Sequence, residues 1–437
     1  MKRYDEAIEY LYGLQFHGIK LGLSNTLRLL SLLDNPQTTF KSIHIAGTNG
    51  KGSTSACIAS ILSAAGYRVG HFTSPHLVSF TERIRVNGEQ ISEADVIAMT
   101  NHIRDLLRAE KELSPTFFEF VTALGFQYFR QKGVEWAVVE TGMGGRLDAT
   151  NILLPEAAVI TRIGLDHREF LGNTMEEIAG EKAGIIKEDT PVVMSDSEEE
   201  ALEVLLRQAK EKRAPVSLYR RDFSSRPREA GIGGSRFDYV SAREIGDLRI
   251  PLPGEFQLEN ASLAVRTADL LQDSRISDEV IRRGLSSVRW EGRCELFRWR
   301  YPILFDGAHN PDAACSLRQA LTDIFLKEFK NVLLIIGLMA DKDIRGVLAQ
   351  LLPLAKTTIF TTLGFQRAAK AEDLVSTAQE LGFGAVAAED MADALKRAEA
   401  EYQPGDLVVI TGSFYALGEA KGVIGFDASL IGLAEFR

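Results

Sequence analysis

The 437-residue sequence lacks several features that would place it in a specialised class of protein. Its three cysteines, Cys57, Cys294 and Cys315, are an odd number without metal-type spacing. They argue against a disulfide scaffold and indicate buried thiols in a reducing compartment. A net charge of -10 argues against broad binding to nucleic acid. The longest apolar run, residues 332–340, is too short to cross a membrane, and the amino terminus has no signal-peptide core, so we expect a cytoplasmic protein.

Length and patterning indicate an α/β protein with more than one domain. Hydrophobic residues make up 45% and charged residues 25% of the chain, as is ordinary for a globular protein of this length. Periodicity resets near residues 286–300, so we predict a first domain over residues 1–295 and a second over 296–437. Strands of the second domain are predicted near residues 302–306, 331–337, 357–361, 384–388 and 406–411, with helices between them. No strong exposed apolar stripe calls for a partner, and we expect a monomer.

Two stretches of the first domain depart from this alternation of strands and helices. Residues 5–34 carry apolar residues at helical spacing and predict two helices, with a break near residues 18–24. Residues 220–250 are polar, glycine-punctuated and weakly alternating. They predict a small antiparallel excursion at the edge of the first domain.

A glycine-rich turn joins a strand predicted at residues 42–46 to a helix predicted at 53–65. Its glycines allow a tight turn, so that successive N–H groups and the positive end of the helix face a polyphosphate. Lys51 would add a charge for the outer phosphates, and Ser53 or Thr54 could offer a hydroxyl to Mg²⁺. The segment therefore predicts a phosphate-binding loop.

This loop meets only the last half of the common P-loop pattern. Ile45 occupies the place where that pattern has its first glycine. The alternative is an ordinary strand-to-helix turn in which Lys51 is a solvated surface charge.

Polar side chains follow three further predicted strands at the edge where open α/β sheets place ligands. Glu140 ends a buried-strand run, and a carboxylate there suits Mg²⁺ bound to nucleotide phosphates, although it could be a solvated strand-end charge. Ser74 ends another strand. His167, beside Asp166, could bind a metal or simply face solvent or cap a helix.

Two segments of the first domain could contact a flat substrate. The helix predicted to open at Thr116 starts with Phe117 and Phe118, whose rings either pack in the core or stack on a flat ligand. A glycine-rich segment, residues 142–151, carries an arginine and an aspartate on a tight backbone.

Further polar residues have both a functional and an ordinary interpretation. Lys182 lies about two turns into a helix predicted to begin at the Thr174 capping box, and a salt bridge is the alternative to a functional role. Asn260 could contact an amide or a purine edge, or could cap its helix. Asp306 and His309 share a loop after the first strand of the second domain, which favours a site over a plain turn. Together these features predict ATP binding and phosphoryl transfer, which depends on positioning and charge neutralisation.

The sequence resembles the folylpolyglutamate synthase and dihydrofolate synthase family, within the Mur-ligase superfamily of ATP-dependent amide-forming enzymes. The segments that carry the resemblance are residues 47–53, 74–77, 142–151, 166–172, 181–187 and 306–311. The incomplete P-loop pattern is a feature of this family too. The resemblance implies a P-loop-type Mur-ligase central domain followed by a smaller Rossmann-like α/β domain.

The resemblance also assigns roles to residues by position. Those implied for ATP are Asn49, Gly50, Lys51, Gly52, Ser53, Asn260, Arg293 and Asp306. Those implied for Mg²⁺ are Ser74, Glu140, His167 and Lys182, the last at a position that this family converts to a carbamate. Those predicted to bind the pterin-containing substrate are Thr116, Phe117, Phe118, Glu119, Arg146, Leu147, Asp148 and Ala149.

The implied activity is ATP-dependent addition of L-glutamate to dihydropteroate, to reduced folates or to both, through an acyl phosphate. Lys51, Lys182 and His309 are the predicted catalytic residues, with His309 positioning the phosphoryl group or the incoming glutamate. One alternative is a Mur-type ligase acting on another acid. The other is a regulatory protein that binds nucleotide without catalysis.

Overall fold

The computed structural model describes residues 1–14, 22–110 and 112–425 and the backbone of residues 429–430. The described residues form two compact units. The first contains Met1–Ser225, Tyr239–Ile245 and Glu259–Val288, and the second contains Arg226–Asp238, Gly246–Leu258 and Arg289–Arg437. The final division therefore falls between Val288 and Arg289, whereas the domain boundary at residue 295 stays a prediction.

An eight-stranded sheet forms the centre of the first unit. Its strands are β1 (Lys41–Ala46), β2 (Val69–Phe72), β3 (Ile84–Val86), β4 (Glu89–Gln90), β5 (Trp136–Glu140), β6 (Ala157–Ile160), β7 (Val192–Met194) and β8 (Val216–Leu218). Their order is β4-β3-β2-β5-β1-β6-β7-β8, and the pairings are parallel except those of β3 with β2 and β4. The central strands β1 and β5 are buried almost throughout, as strands covered on both faces must be.

Helices precede, connect and follow these strands. They are α1 (Tyr4–Gly13), α2 (Ser24–Leu32), α3 (Lys51–Ala64), α4 (Glu93–Ala109), α5 (Phe117–Gln131), α6 (Arg168–Leu171), α7 (Met175–Ala183), α8 (Glu199–Glu211), α9 (Phe256–Leu270) and α10 (Asp278–Ser286). One apolar cluster packs α5 against β2 and β5, and another packs α7 and α8 against β6 and β7. The predicted helices at the amino terminus are confirmed, but residues 18–21 of the predicted break between them lie outside the described residues.

A three-stranded sheet follows in the chain. It consists of β9 (Ser224–Gly231), β10 (Gly234–Val240) and β11 (Glu244–Ile250), in the order β11-β10-β9. The predicted antiparallel arrangement is confirmed. Most of these residues make their contacts in the second unit, and their place at the edge of the first domain stays a prediction. Composition within the segment gave no sign of the partner against which it packs.

A seven-stranded sheet forms the centre of the second unit. Its strands are β12 (Glu295–Arg298), β13 (Pro302–Phe305), β14 (Asn331–Ile336), β15 (Ala355–Thr361), β16 (Val386–Ala388), β17 (Asp406–Thr411) and β18 (Ser429–Leu430), in the order β16-β15-β14-β17-β13-β12-β18. Its helices are α11 (Pro311–Asp323), α12 (Ile344–Leu351), α13 (Ala371–Glu380), α14 (Met391–Glu401) and α15 (Phe414–Ile424). All five predicted strands are confirmed. The antiparallel strands β12 and β18 were not predicted.

The described residues bear on two further expectations. None of the helices in the described part of the chain is both long and apolar enough to span a bilayer. Cys57 and Cys294 are buried free thiols, as predicted, whereas Cys315 is only half-buried.

Candidate active site

The glycine-rich turn after β1 is packed too tightly for side chains. A Cβ added at Gly47, where φ is +149°, would lie 1.9 Å from Thr161 Oγ1. One added at Gly50, where φ is +93°, would lie 2.4 Å from Asn260 Oδ1. That carboxamide oxygen also accepts a hydrogen bond from Thr54 Oγ1 at 3.4 Å. Glycine is therefore required at both turn positions, and Asn260 lies against the loop from within α9 instead of capping that helix.

The backbone N–H groups of this loop divide into two sets. Those of Thr48 and Asn49 donate to the carbonyl of Arg162, at 2.9 and 3.2 Å. The prediction that successive loop N–H groups face a ligand is therefore wrong for these two. Helix α3 begins at Lys51, two residues before the predicted start, and none of the described side chains caps it. Its first N–H groups have no partner within the helix and give the positive pole that attracts an anion.

Two lysine amines meet at one carbonyl oxygen of the loop. Lys51 Nζ donates to the carbonyl oxygens of Gly47 and Thr48, at 3.1 and 3.3 Å. Lys182 Nζ, from α7, donates to the same oxygen of Gly47 at 2.9 Å. Only 17% of the Lys51 side chain is exposed, so it is not the solvated surface charge of the alternative interpretation.

Lys182 is in an unusual electrostatic position. It is buried, and its hydrogen bond is to a backbone carbonyl and not to a carboxylate. Burial, reinforced by the nearby charge of Lys51, lowers the pKa of Lys182 to about 7. A large fraction of its amine is therefore uncharged near neutral pH, where an ordinary lysine is fully protonated.

The carboxylate of Glu140 lies beside this lysine pair. It ends β5, where Glu140 is paired in register with Ile45 of β1, and its Oε1 lies 3.8 Å from Lys51 Nζ. Only 5% of its side chain is exposed, so it is not a solvated strand-end charge. The sheet thus delivers a buried anion to the edge from which the phosphate loop begins.

Ser74 and His167, which are also predicted to bind Mg²⁺, are more open than Glu140 and Lys182. Ser74 is half-buried, and 41% of the His167 side chain is exposed. His167 has a φ of +52° before α6, and its Nε2 lies 4.0 Å from Asp166 Oδ2. The described residues contain no group of three His, Cys, Asp or Glu side chains able to hold a metal. A cation bound by these side chains would complete its coordination with phosphate oxygens and water, as Mg²⁺ commonly does.

The loop that follows Glu140 is organised by its own aspartate. The carboxylate of Asp148 accepts hydrogen bonds from Met143 N at 2.9 Å, Thr150 N at 3.0 Å and Thr150 Oγ1 at 2.5 Å. Burial raises the pKa of Asp148, and these donors oppose the rise. Leu147 is half-buried and Ala149 is buried beside it. The structure thus shows Asp148 bonded to its own loop.

Arg146 links this loop to α7. Its guanidinium donates to Glu181 Oε1 at 2.6 Å, and its backbone N–H donates to the Glu181 carbonyl at 2.7 Å. A Cβ at Gly184 would lie 2.4 Å from Arg146 Cα, so the absence of a side chain there permits the contact. The loop and the helix that carries Lys182 are therefore joined.

The start of α5 uses its predicted substrate residues in local structure. Thr116 and Glu119 form a capping box, with Thr116 N to Glu119 Oε2 at 2.7 Å. The ring of Phe118 packs on Phe72, with 6.0 Å between centroids. Phe117 stacks on Tyr12 at 5.6 Å and 15°. Both phenylalanines are half-buried and combine packing with an accessible surface.

Polar groups lie around Phe117 in an arrangement that was not predicted from the sequence. The guanidinium carbon of Arg83 lies 5.4 Å from the ring centre of Phe117, and Arg83 Nε donates to His76 Nδ1 at 2.8 Å. Burial, with the Arg83 charge, lowers the pKa of His76 to about 3. His76 lies in segment 74–77, which carries the family resemblance, but nothing in the sequence indicated that its imidazole and the Arg83 guanidinium lie beside Phe117.

Asp306, in the second unit, is also bonded to the backbone of its neighbours. Its Oδ2 accepts from Cys294 N at 2.9 Å, and its Oδ1 accepts from Ala308 N at 3.0 Å. Burial raises the pKa of Asp306, against the lowering effect of the Arg293 charge. The carboxylate fixes the loop that carries His309.

Phe414 brings two predicted site residues together. Its ring centre lies 4.5 Å from the guanidinium carbon of Arg293 and 6.1 Å from the imidazole of His309. A Cβ at Gly307 would lie 2.7 Å from the Phe414 ring and 2.8 Å from Arg293 Nη1. His309 Nδ1 lies 2.8 Å from the Gly307 carbonyl. The position of Phe414 just after the buried strand β17 was the available signal in the sequence.

Comparison with known families covers most of the chain. Residues 45–268 match the Mur ligase middle domain. Residues 292–414 match the glutamate ligase domain of the Mur ligases. The first match contains the phosphate loop, and the second contains Asp306 and His309.

Relatives and solved structures agree with this assignment. The dihydrofolate synthase/folylpolyglutamate synthase of Bacillus subtilis is 37% identical over 426 residues, which are 96% of this chain and 98% of the relative. The folylpolyglutamate synthase of Mycobacterium tuberculosis complexed with ADP is 33% identical, with a TM-score of 0.90 and coverage of 98% of this chain and 100% of that one. Escherichia coli FolC in complex with DHPP and ADP is 31% identical, with a TM-score of 0.86 and coverage of 97% and 98%. The chain therefore belongs to the dihydrofolate synthase/folylpolyglutamate synthase family of Mur ligases.

Proposed function

We propose that this chain is an ATP-dependent ligase that joins L-glutamate to dihydropteroate, to the γ-glutamyl tail of reduced folates or to both. The observation that carries the proposal is the phosphate loop, in which an uncapped helix start and the amines of Lys51 and Lys182 converge. Membership of the family supplies the class of substrate. The relatives named above are synthases of this kind, and one solved relative holds ADP together with DHPP.

The residues of the chain suit a reaction in two steps. The substrate carboxylate attacks the γ-phosphorus of ATP, the bond to ADP breaks, and an acyl phosphate forms. The amino group of glutamate then attacks the acyl carbon, phosphate leaves, and the amine gives up a proton. Lys51 and the first turn of α3 would neutralise phosphate charge, and Asn260 and Arg293 would contact the nucleotide. His309 would position the phosphoryl group or the incoming glutamate.

We propose Mg²⁺ as the companion of ATP, held by Ser74, Glu140, His167 and a carbamate on Lys182. The burial of Glu140 beside Lys51 supports this assignment, because a buried carboxylate is well suited to a cation. When bound, Mg²⁺ supplies positive charge to the phosphates. The uncharged amine of Lys182 suits the addition of carbon dioxide, in which nitrogen bonds to carbon and a proton is released.

The proposed substrate contacts are residues 116–119 and 146–149, at the start of α5 and in the loop after β5. Phe117 and Phe118 would stack on the pterin with the part of each ring that packing leaves accessible. The proposal includes a monomeric protein acting in the cytoplasm. Size-exclusion chromatography with light scattering tests the first point, and cell fractionation tests the second.

The test of the activity is phosphate release with ATP, Mg²⁺, L-glutamate and either dihydropteroate or tetrahydrofolate, with product mass measured in the same tubes. One glutamyl unit added to dihydropteroate would establish a dihydrofolate synthase. Chains growing on tetrahydrofolate would establish polyglutamylation. Lys51→Met should lower the rate about 100-fold or more. Lys212→Met, at an exposed lysine, is the matched control and should leave the rate unchanged.

The activity proposal fails if ATP binds but neither acceptor gains glutamate. That result would favour another acid substrate or a non-catalytic nucleotide binder. The carbamate is tested separately by intact mass and by removal of bicarbonate. An unmodified mass together with unchanged activity after bicarbonate removal would refute it.

A further inference from the structure

A buried chain of three polar side chains ties the loop after β5 to strand β1. His44 Nε2 lies 2.8 Å from Thr150 Oγ1, which lies 2.5 Å from Asp148 Oδ1. The other carboxylate oxygen of Asp148 accepts the N–H of Met143 at 2.9 Å. His44 and Thr150 have no exposed surface, and Asp148 is 7% exposed. The contacts therefore operate without competition from water.

Hydrogen-bond chemistry fixes the direction of each bond. The described partners of Asp148 are all donors, as an ionised carboxylate requires, so the Thr150 hydroxyl gives its proton to Asp148. The oxygen of Thr150 then accepts from His44 Nε2–H. Burial, with the charge of Lys187, lowers the pKa of His44 to about 3, and the neutral ring carries its proton on Nε2. No described residue bonds to His44 Nδ1, so this single bond orients the ring.

The side chain of His44 contacts the loop of residues 142–151, whereas the phosphate loop is positioned by the backbone of β1. It lies on β1, three residues before Gly47, but its backbone is paired with Val139 of β5 and Ala158 of β6. These two ladders fix β1, and with it the start of the phosphate loop, whatever the side chain does. The loop that contains Asp148 has no such ladder. Its Arg146 end is held by the backbone bond to Glu181, and around Asp148 it is held by the side-chain bonds of Asp148 and Thr150.

We propose that His44 and Thr150 are positioning residues for the folate-type acceptor. Through Asp148 they hold residues 142–151 in the conformation that binds this acceptor. The inference rests on the proposed function, because it concerns the acceptor of that reaction. Loss of the network should weaken acceptor binding and leave nucleotide binding unchanged. A purely structural role would instead lower stability without selecting one substrate.

The test compares Thr150→Val, which keeps the shape but removes the hydroxyl, with Thr150→Ser, which keeps the hydroxyl. We expect Thr150→Val to raise the KM for the acceptor about tenfold, as loss of a buried charge-assisted hydrogen bond does. The Kd for AMPPCP should stay within about twofold. Thr150→Ser should restore the KM. Thr267→Val removes another buried threonine hydroxyl, bonded at 2.8 Å to the Leu263 carbonyl in α9, and should leave both constants unchanged.

A second pair of variants covers the case in which Thr150→Val does not fold. His44→Leu removes the Nε2 donor, and His44→Gln retains an amide N–H near the same place. The first should raise the acceptor KM and the second should restore it. Equal weakening of acceptor and nucleotide binding, or a change in thermal stability alone, would overturn the proposal.

Failure of the proposed function is separately visible. If the wild-type protein adds glutamate to neither acceptor, hydrogen exchange of peptides covering residues 142–151 still tests the network. Exchange that is faster in Thr150→Val but not in Thr267→Val supports the positioning of the loop. Unchanged exchange in both variants refutes it.

Discussion

Replacing Gly50 by alanine tests whether the phosphate loop binds ATP in the way proposed. An added Cβ would lie 2.4 Å from Asn260 Oδ1, and Cβ atoms essentially never approach a heavy atom within 3.0 Å. The Asn260 carboxamide must therefore move by more than about half an ångström. Its hydrogen bond from Thr54, already 3.4 Å long, would be lost.

The cost of this substitution has two parts. Loss of the Thr54 bond costs about 1 kcal/mol. Alanine in a left-handed backbone conformation costs roughly 1–2 kcal/mol more. Gly50→Ala should therefore lower the free energy of unfolding by about 2–3 kcal/mol.

Gly66 supplies a matched control. Its φ of +87° is close to that of Gly50, but an added Cβ would meet nothing within 4 Å. Gly66→Ala should lower the free energy of unfolding only through the backbone conformation, by about 1–2 kcal/mol. The two variants therefore share the backbone strain and differ in the contact with Asn260.

Calorimetric titration with AMPPCP and urea unfolding are the two assays. Gly66→Ala should bind the nucleotide as the wild type does, whereas Gly50→Ala should bind it about tenfold more weakly because Asn260 and the loop are displaced. Equal affinity in the two variants would show that this contact does not belong to the ATP site. A larger loss of stability in Gly66→Ala would refute the steric reasoning.

Three shorter predictions follow from charges and rings. Burial lowers the pKa of Lys182 to about 7, so from about pH 7 to 10 the unfolded chain binds more protons than the folded one and stability rises with pH. Lys182→Met should remove this rise in urea unfolding without bicarbonate, and an unchanged slope would contradict the assignment. Arg146→Ala breaks a solvent-exposed ion pair with Glu181 and should lower the free energy of unfolding by no more than about 1 kcal/mol. Urea unfolding measures this change, and a larger loss would refute the estimate. Phe414→Leu removes the aromatic ring that lies 4.5 Å from the Arg293 guanidinium and should raise the Kd for AMPPCP about two- to fivefold. An unchanged Kd in calorimetric titration would show that Arg293 does not contact the nucleotide.

The elements that could be predicted from sequence are those whose signals are local. An apolar run predicts strand β1, and the glycines after it predict a tight turn. The five parallel strands of the second unit alternate with helical patterns and were found for the same reason. Strand β12 was missed because it is short and partly exposed, and its identity comes from pairing with β13 and β18.

Long-range contacts account for what the sequence did not predict. The bond between His44 and Thr150 joins residues 106 positions apart, and neither residue has a distinctive neighbourhood in the sequence. Asp148 stood out because of the glycines around it, but its hydrogen bonds to its own loop depend on the folded backbone. The meeting of Lys51 and Lys182 at one oxygen likewise requires the sheet to place α3 and α7.

The division of the chain into two units sets an order for folding during synthesis. The chain passes from one unit to the other five times, after Ser225, Asp238, Ile245, Leu258 and Val288. The eight-stranded sheet is complete once residue 218 has emerged from the ribosome. Residues 226–238 and 246–258 belong to the second unit but are synthesised before its seven-stranded sheet, which begins at residue 295. A nascent chain therefore carries partly apolar segments without their partners through much of its synthesis, and a single cut cannot release either unit whole.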